Sequence, residues 1–395
     1  MGHGRMRILL GHNYYREKGG EDIAFASEGA LLSEHGHLVE EFTDHNDRVR
    51  DLTLPELVRD TLWSRSSHRA LSGRLRKGRF DVAHFHNTFM LLSPSVYHAC
   101  HDAGVPVAQT LHNYRLICPK ATMSREGRVC ERCSGLFFPW PSVHHACYRE
   151  DRAASLTVAA MLVFHKVLRT WTEKVGVYIA LTRFARRKFI EGGLPADRIV
   201  VKPNFVHPDP GKGDSFRAGA VCIGRLSPEK GLLTLLRAWE HHPDFPLSLI
   251  GDGPSRGELE RFVHDRRIRG VKFLGRIPRP EVLARLKRAS FLVFPSECYE
   301  GLPMTLLESF ACGTPVIAAG MGAMEETVED GRTGLLFRAG DAEDLASRVD
   351  WARTSPAGLS AMGGEARRDY LALYTAERNH GLLMDIYERI TRSVS

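Results

Sequence analysis

Phe291-Leu-Val-Phe294-Pro295-Ser296-Glu297-Cys298-Tyr299-Glu300-Gly301-Leu302-Pro303-Met304-Thr305-Leu306-Leu307-Glu308 is the stretch whose reading decides the fold. Phe291–Phe294 is a short, wholly apolar run, the pattern of a strand buried on both faces. Pro303 follows at a position where a helix tolerates proline, in its first turn. Two carboxylates, Glu300 and Glu308, bracket that helix start. A helix N-terminus offers free backbone N–H groups and partial positive charge, a seat for phosphate. Glu308 falls about one and a half turns inside the helix, where a carboxylate accepts hydrogen bonds from a vicinal diol such as a ribose. Strand, phosphate seat and diol acceptor together suggest a nucleotide-sugar site.

Working outward, the same alternation recurs on both sides. Met6–His12, Val82–Phe85, Val105–Leu111 and Val177–Leu181 read as buried strands, with a helix over 24–34. After Gly219 come Val221–Ile223, Leu247–Ile250, Val271–Leu274 and Pro315–Ala319, separated by helical stretches near 229–242, 255–267, 279–289 and 303–311. Strand–helix alternation means parallel sheets in open α/β domains. Two such runs predict an α/β protein of two Rossmann-like, doubly wound domains. The Pro- and Gly-rich stretch 203–214 is the predicted linker. The expected domains are 1–203 and 204–375, with a last helix near 376–392, in the segment 376–395, returning to the first domain.

A chain of 395 residues suits two cores, and 43% hydrophobic with 26% charged residues is a globular composition. The net charge of +7 admits anionic partners without choosing among them. No apolar run reaches the ~18 residues of a spanning helix, and the N-terminus does not read as a signal peptide. The expectation is a cytoplasmic protein.

Ligands of open α/β sheets bind beyond the carboxyl ends of the strands, and the candidates cluster there. Gly224-Arg225-Leu-Ser-Pro-Glu-Lys230-Gly231 brings two cations, Arg225 and Lys230, able to neutralise a departing diphosphate. Alone, that stretch reads equally as a solvated loop. Gly251-Asp-Gly-Pro lacks the third glycine and the later acidic residue of a dinucleotide fingerprint. Gly19-Gly20 forms a loop ahead of the first helix, fit for close approach to phosphate or for an ordinary turn. His112 closes a strand and faces a cleft more readily than a core. His84, His86, His144 and His145 receive no role. Glu326 follows Pro315–Ala319, near a sugar or as a plain first-turn acid.

Cys118, Cys130, Cys133 and Cys147 fall within thirty residues, and Cys130 and Cys133 form C-x2-C. This spacing suits a tetrahedral structural zinc; reduced buried thiols and redox-active thiols are the alternatives. Residues 59–80 carry Arg59, Arg65, Arg69, Arg74, Arg76, Lys77 and Arg79 among Leu62, Trp63, Leu71, Leu75 and Phe80. They read as a basic helix on an anionic membrane, or as a surface helix packing its leucines on the sheet.

E-G-L-P-M-T-L-L-E at 300–308, G-R-L-S-P-E-K-G at 224–231, G-D-G-P at 251–254 and E-x-V-x-D-G-x-T-G-L-L at 326–336 together resemble glycosyltransferase family 4. The resemblance implies retaining enzymes of the GT-B fold, two Rossmann-like domains facing across a cleft. It implies catalytic roles for Arg225 and Lys230 on the diphosphate, Glu300 on the transferred sugar and His112 beside it. On the donor side it places Gly20 near the phosphates and Glu308 on the ribose, with Gly224, Gly251, Gly301, Leu302 and Glu326. Glu325 stands where the family often has proline. The donor implied is a UDP- or GDP-sugar and the acceptor a glycan or lipid-linked glycan, in cell-surface polysaccharide synthesis. No catalytic metal is expected, since Arg225, Lys230 and the helix dipole supply the positive charge, and no nucleic-acid partner, since paired carboxylates repel a phosphate backbone. Two rivals stay open: a nucleotide-sugar epimerase on this fold, and a non-catalytic basic protein binding nucleotide, nucleic acid or membrane.

Overall fold

The computed structural model describes residues 4–17, 19–213 and 217–392. Met1, Gly2 and His3 at the predicted N-terminal stretch, Asp214 at the end of the predicted linker, and the last three residues of 376–395 lie outside the described residues. Two units make up the chain. One comprises Met1–Met123, Glu131–Pro203 and Glu377–Ser395; the other comprises Ser124–Cys130 and Asn204–Ala376.

In the first unit, strands β1 (Arg7–Tyr14), β2 (Leu38–His45), β3 (Val82–Asn87) and β4 (Val107–Leu111) join two later ones in one sheet. A short hairpin, β5 (Ser124–Arg125) and β6 (Arg128–Val129), belongs to the second unit and precedes β7 (Val177–Ala180) and β8 (Ile199–Val201) in the chain. The sheet order is β2-β1-β3-β4-β7-β8, and every pairing is parallel. Ile8, Leu10, Val82, Ala108, Val177 and Ile179 form its core with Phe25 and Leu32 of helix Gly20–Glu34. Leu383, Met384, Ile386, Tyr387 and Ile390 of helix Ala376–Arg392 complete that same core.

The second unit holds β9 (Ala220–Ile223), β10 (Leu247–Ile250), β11 (Val271–Gly275), β12 (Phe291–Phe294), β13 (Val316–Gly320) and β14 (Gly334–Arg338). Its order is β11-β10-β9-β12-β13-β14, again parallel throughout. Leu235, Leu236 and Trp239 of helix Leu232–Trp239 pack on Leu249, Phe291, Val293 and Ile317. Strand order reverses between β9 and β12, which pair through Leu292 and Val221. The crevice at such a reversal is where doubly wound sheets receive ligands.

Three strands of the two large sheets escaped the sequence reading. β2 and β8 are edge strands and β14 closes the far end of its sheet. β2, Leu-Val-Glu-Glu-Phe-Thr-Asp-His, is half-exposed and acidic, so no apolar run marks it. The predicted helix 229–242 begins with a separate 3-10 turn, Pro228–Lys230, and Gly231 at φ 65° breaks it from Leu232–Trp239. A Cβ on Gly231 would lie 2.0 Å from the carbonyl oxygen of Pro295, so only glycine fits. Pro303 is the residue before the helix and not within it; Met304–Ala311 is the helix.

Candidate functional site

In the second unit, the segments after β9 and β12 are tied by their backbones: Glu297 N–H donates to the Glu229 carbonyl at 2.9 Å. This brings Lys230 and Glu300 together. Lys230 Nζ lies 2.5 Å from Glu300 Oε1, and Ser296 Oγ donates to the same oxygen at 2.6 Å. Burial alone would discharge the Lys230 amine, but the adjacent Glu300 carboxylate more than offsets it and holds the pKa above the ordinary lysine value. The result is a fixed cation at the strand-order reversal. Cys298 lies beside it, its Sγ 3.5 Å from Ser296 Oγ; burial pushes its thiol up to about 12, so it stays protonated. Arg225 is exposed one residue after Gly224, whose own N–H is spent on the Ile250 carbonyl at 3.0 Å.

Glu308 is buried in helix Met304–Ala311, and Arg279 Nε donates to its Oε1 at 2.8 Å. Burial raises its pKa, and the Arg279 guanidinium pulls the other way without cancelling the rise. The expected free diol acceptor therefore already has one oxygen engaged, an ion pair that no sequence spacing announced. At the start of that helix, Leu302 is buried and its carbonyl accepts from Asn204 Nδ2 at 3.0 Å, while Gly301 is half-buried. Gly251 is required by close backbone approach. Its φ is 137°, and a Cβ would lie 1.9 Å from the Gly224 carbonyl oxygen. It lets two loop backbones touch. Glu326 is exposed on the short helix Ala323–Thr327, next to Glu325.

In the first unit, strand order reverses between β1 and β3, and imidazoles gather at the carboxyl ends of β1, β3 and β4. His112 Nε2 lies 2.9 Å from His86 Nδ1, and His86 Nε2 lies 3.0 Å from Glu28 Oε1. Lys202 Nζ completes the row, 2.9 Å from Glu28 Oε2 and 2.9 Å from Asn379 Oδ1. Burial drives His86 down to about 4, against the pull of Glu28, and drives His112 well below the usual histidine value. Both rings are neutral near pH 7. A neutral His86 donating to Glu28 accepts at Nδ1, so His112 donates from Nε2 and keeps Nδ1 as its acceptor. Despite burial, the surrounding Lys202, His84 and His86 hold Glu28 well below the usual carboxylate range.

His84 Nδ1 lies 2.8 Å from the same Glu28 oxygen as His86 Nε2, so His84 and His86 both join the row behind His112, although the sequence reading gave them no role. The available signal was alternation: residues 84 and 86 share one face of a strand that is buried throughout. Asp22, also unpredicted, fixes the glycine loop. Its Oδ2 accepts from Gly19 N–H at 2.7 Å and its Oδ1 meets His12 Nε2 at 2.7 Å, with Gly20 opening the helix. A cavity of about 40 Å³ adjoins the histidine row, lined by His86, Thr88, Phe89, Met90, His112 and Arg115 among others.

The cysteine and basic-helix expectations meet the structure differently. Cys118, Cys130, Cys133 and Cys147 are all reduced, and Cys130 belongs to the second unit's residues while the other three belong to the first. Among the described residues, the group of three potential ligands within 4.8 Å is Glu28, His84 and His86, not a set of thiols. Lys202 already supplies the cation there. The basic stretch 59–80 is two helices, Leu54–Leu62 and Arg65–Lys77, broken at Trp63-Ser64 where Ser64 caps the second. Leu71 and Leu75 are buried and the helix packs on Ser95–Asp102, so its apolar face is spent inside its own unit and is not offered to lipid. Among the described residues no helix is long and apolar enough to cross a membrane.

Residues 217–369 match the family model of glycosyl transferases group 1, and residues 24–210 match that of glycosyltransferase family 4. The chain is 30% identical over 268 residues to a phosphatidyl-myo-inositol mannosyltransferase of Mycobacterium leprae, covering 63% of this chain and 68% of that one. It is 31% identical over 231 residues to a GDP-mannose-dependent phosphatidylinositol monomannoside mannosyltransferase of Mycolicibacterium smegmatis, covering 51% and 60%. The chain spans about half to two thirds of the length of these and a further curated relative. Among solved structures, the Anabaena protein HepE in complex with UDP superposes with a TM-score of 0.69 at 18% identity, covering 97% of this chain and 100% of that one. The architecture is that of the GT-B glycosyltransferases.

Proposed function

The chain belongs to the group 1, family 4 glycosyltransferases, and from that premise we propose that it moves a hexosyl group from a UDP- or GDP-sugar to a hydroxyl of a glycan or glycolipid, with retention at the anomeric carbon. The observation that carries this is the locked cation, Lys230 against Glu300 and Ser296, where the strand order of the second sheet reverses. A diphosphate leaving group needs positive charge in place before the bond breaks. Lys230 is such a charge, and Arg225 is a second one on the same segment.

In the proposed step the acceptor oxygen bonds to the anomeric carbon as the bond from that carbon to the diphosphate oxygen breaks. The electron pair leaves with the diphosphate, and the diphosphate oxygen takes the acceptor's proton on the same face. Glu300 orients the transferred sugar while balancing Lys230. Glu308 holds the ribose with the oxygen that Arg279 leaves over. His112, fixed by His86, lends Nδ1 to a sugar hydroxyl. Most of the rate would come from positioning and charge. The relatives' names give phosphatidyl-myo-inositol and a phosphatidylinositol monomannoside as acceptors, which makes a lipid-linked acceptor the preferred version, in a cell-surface glycan pathway.

The test is a donor screen. Purified protein is mixed with UDP-, GDP-, ADP- and dTDP-sugars, and released diphosphate and thermal stabilisation are read together. Stabilisation by one sugar nucleotide with slow hydrolysis supports the reading and names the donor. No stabilisation by any sugar nucleotide or free nucleotide would sink it.

A further inference from the structure

Most large apolar side chains here are buried, but a group of them is not. Leu136, Phe137, Phe138 and Trp140 run nearly consecutively and are exposed, Phe137 at 61% and Trp140 at 53%. Helix Arg152–Val167 and its cap present Leu156, Phe164, Val167 and Leu168 outward, at positions that share one helical face. The two groups adjoin. Lys166 Nζ donates to the Leu136 carbonyl at 3.0 Å and lies 5.7 Å from the centre of the Phe137 ring. A contiguous exposed patch of this kind marks an interaction surface, whereas scattered exposed leucines do not.

Charge and composition choose the occupant. Arg132, Lys166 and Arg169 stand at the edge of the patch, and residues 132–169 carry five Lys or Arg against two acids, Glu150 and Asp151. Those acids lie at the opposite end of the helix, where Asp151 caps it. Phenylalanine and tryptophan beside lysine and arginine are the composition that settles at a lipid headgroup boundary. A second copy of this chain is disfavoured by the same charges, since a two-fold contact would set Lys166 and Arg169 near their own duplicates.

We infer that Leu136–Trp140 and the outward face of helix Arg152–Val167 form a membrane-docking surface, inserting Phe137 and Trp140 at the acyl boundary of an anionic bilayer. This surface is separate from the basic helix Arg65–Lys77, whose leucines are already buried. It does not rest on the transferase reading.

The experiment is flotation of the full chain with vesicles of phosphatidylglycerol and phosphatidylcholine, for wild type and a Phe137→Ser/Trp140→Ser double variant. A circular-dichroism melt verifies that the double variant keeps its fold, which the exposure of both positions favours. Wild type should float, and the double variant should float about tenfold less or worse. Lipids brominated along the acyl chain should quench the wild type more than Trp140→Phe. Failure of wild type to float, or flotation of the double variant equal to wild type, would overturn the inference. So would a concentration-dependent dimer that the double variant abolishes while neither protein floats. Flotation needs neither donor nor acceptor, so its failure and a failed donor screen are separate results.

Discussion

Lys230 is the residue on which the chemistry turns, and its environment is unusual: a cation in a mostly buried position that Glu300 keeps charged. Alanine there removes the charge aimed at the leaving group and takes the lysine from the oxygen of Glu300 that Ser296 also contacts. Turnover should fall about 10²–10³-fold, the range seen when one preorganised electrostatic contact is lost. Steady-state kinetics with the donor named by the screen, alongside a melt to verify folding, checks this; unchanged turnover would remove Lys230 from the mechanism. The cation and its motif were legible because residue types and spacing on one loop suffice to suggest them. The Arg279 pair on Glu308 was not. It joins side chains 29 positions apart across two helices, and only packing sets such a contact.

β3 shows how an element can carry more than its hydrophobic pattern suggests. The run reads as a buried strand, and it is one, but the sequence assigns its histidines no role. Burial places His86 at about 4 in the folded chain against 6.5 when unfolded. Between those values the unfolded chain binds a proton that the folded chain refuses. Stability therefore rises with pH through the window and is lost on acidification, by about 1.4 kcal/mol per pH unit for such a histidine. His112, depressed by burial and by His86, acts in the same direction. The melting midpoint should fall between pH 6.5 and pH 5, and a midpoint flat over that range would contradict a neutral buried pair. Elements were legible where burial is two-sided, as in β12 and β13, and the half-exposed edge strand β11 still kept enough apolar residues to be read. They were lost where a strand lies at a sheet edge, as β2 does, because polar side chains there erase the period. The single helix read across 59–80 failed for a local reason: Ser64 is a capping residue that starts a new helix in mid-pattern.

For the molecule as a whole, two parallel sheets follow from two runs of alternation, since only helical crossovers join parallel strands. The last helix, expected to return to the first domain, packs in that domain's core. Helix Ala376–Arg392 adds Leu383, Met384, Ile386 and Ile390 to the sheet that begins at β1. Four such side chains contribute about 6–12 kcal/mol of burial, comparable to the whole stability of a domain. A chain ending at Thr375 should lose the cooperative melt of its first unit, and a truncated chain that melts like the full one would show the helix to be dispensable.

That helix also gives the chain a staple near its crossings. Asn379 Nδ2 donates to the Pro203 carbonyl at 2.7 Å, and Lys202 reaches Asn379 from the neighbouring position. The polypeptide leaves the first unit at 203 and re-enters it at 377, and the two passages are fastened to each other there. A protease that cuts within 207–213, just after the chain enters the second unit, would therefore free nothing. The carboxyl-terminal fragment would still be anchored by its own last helix, and the nicked enzyme would run as one particle until denaturant released two bands.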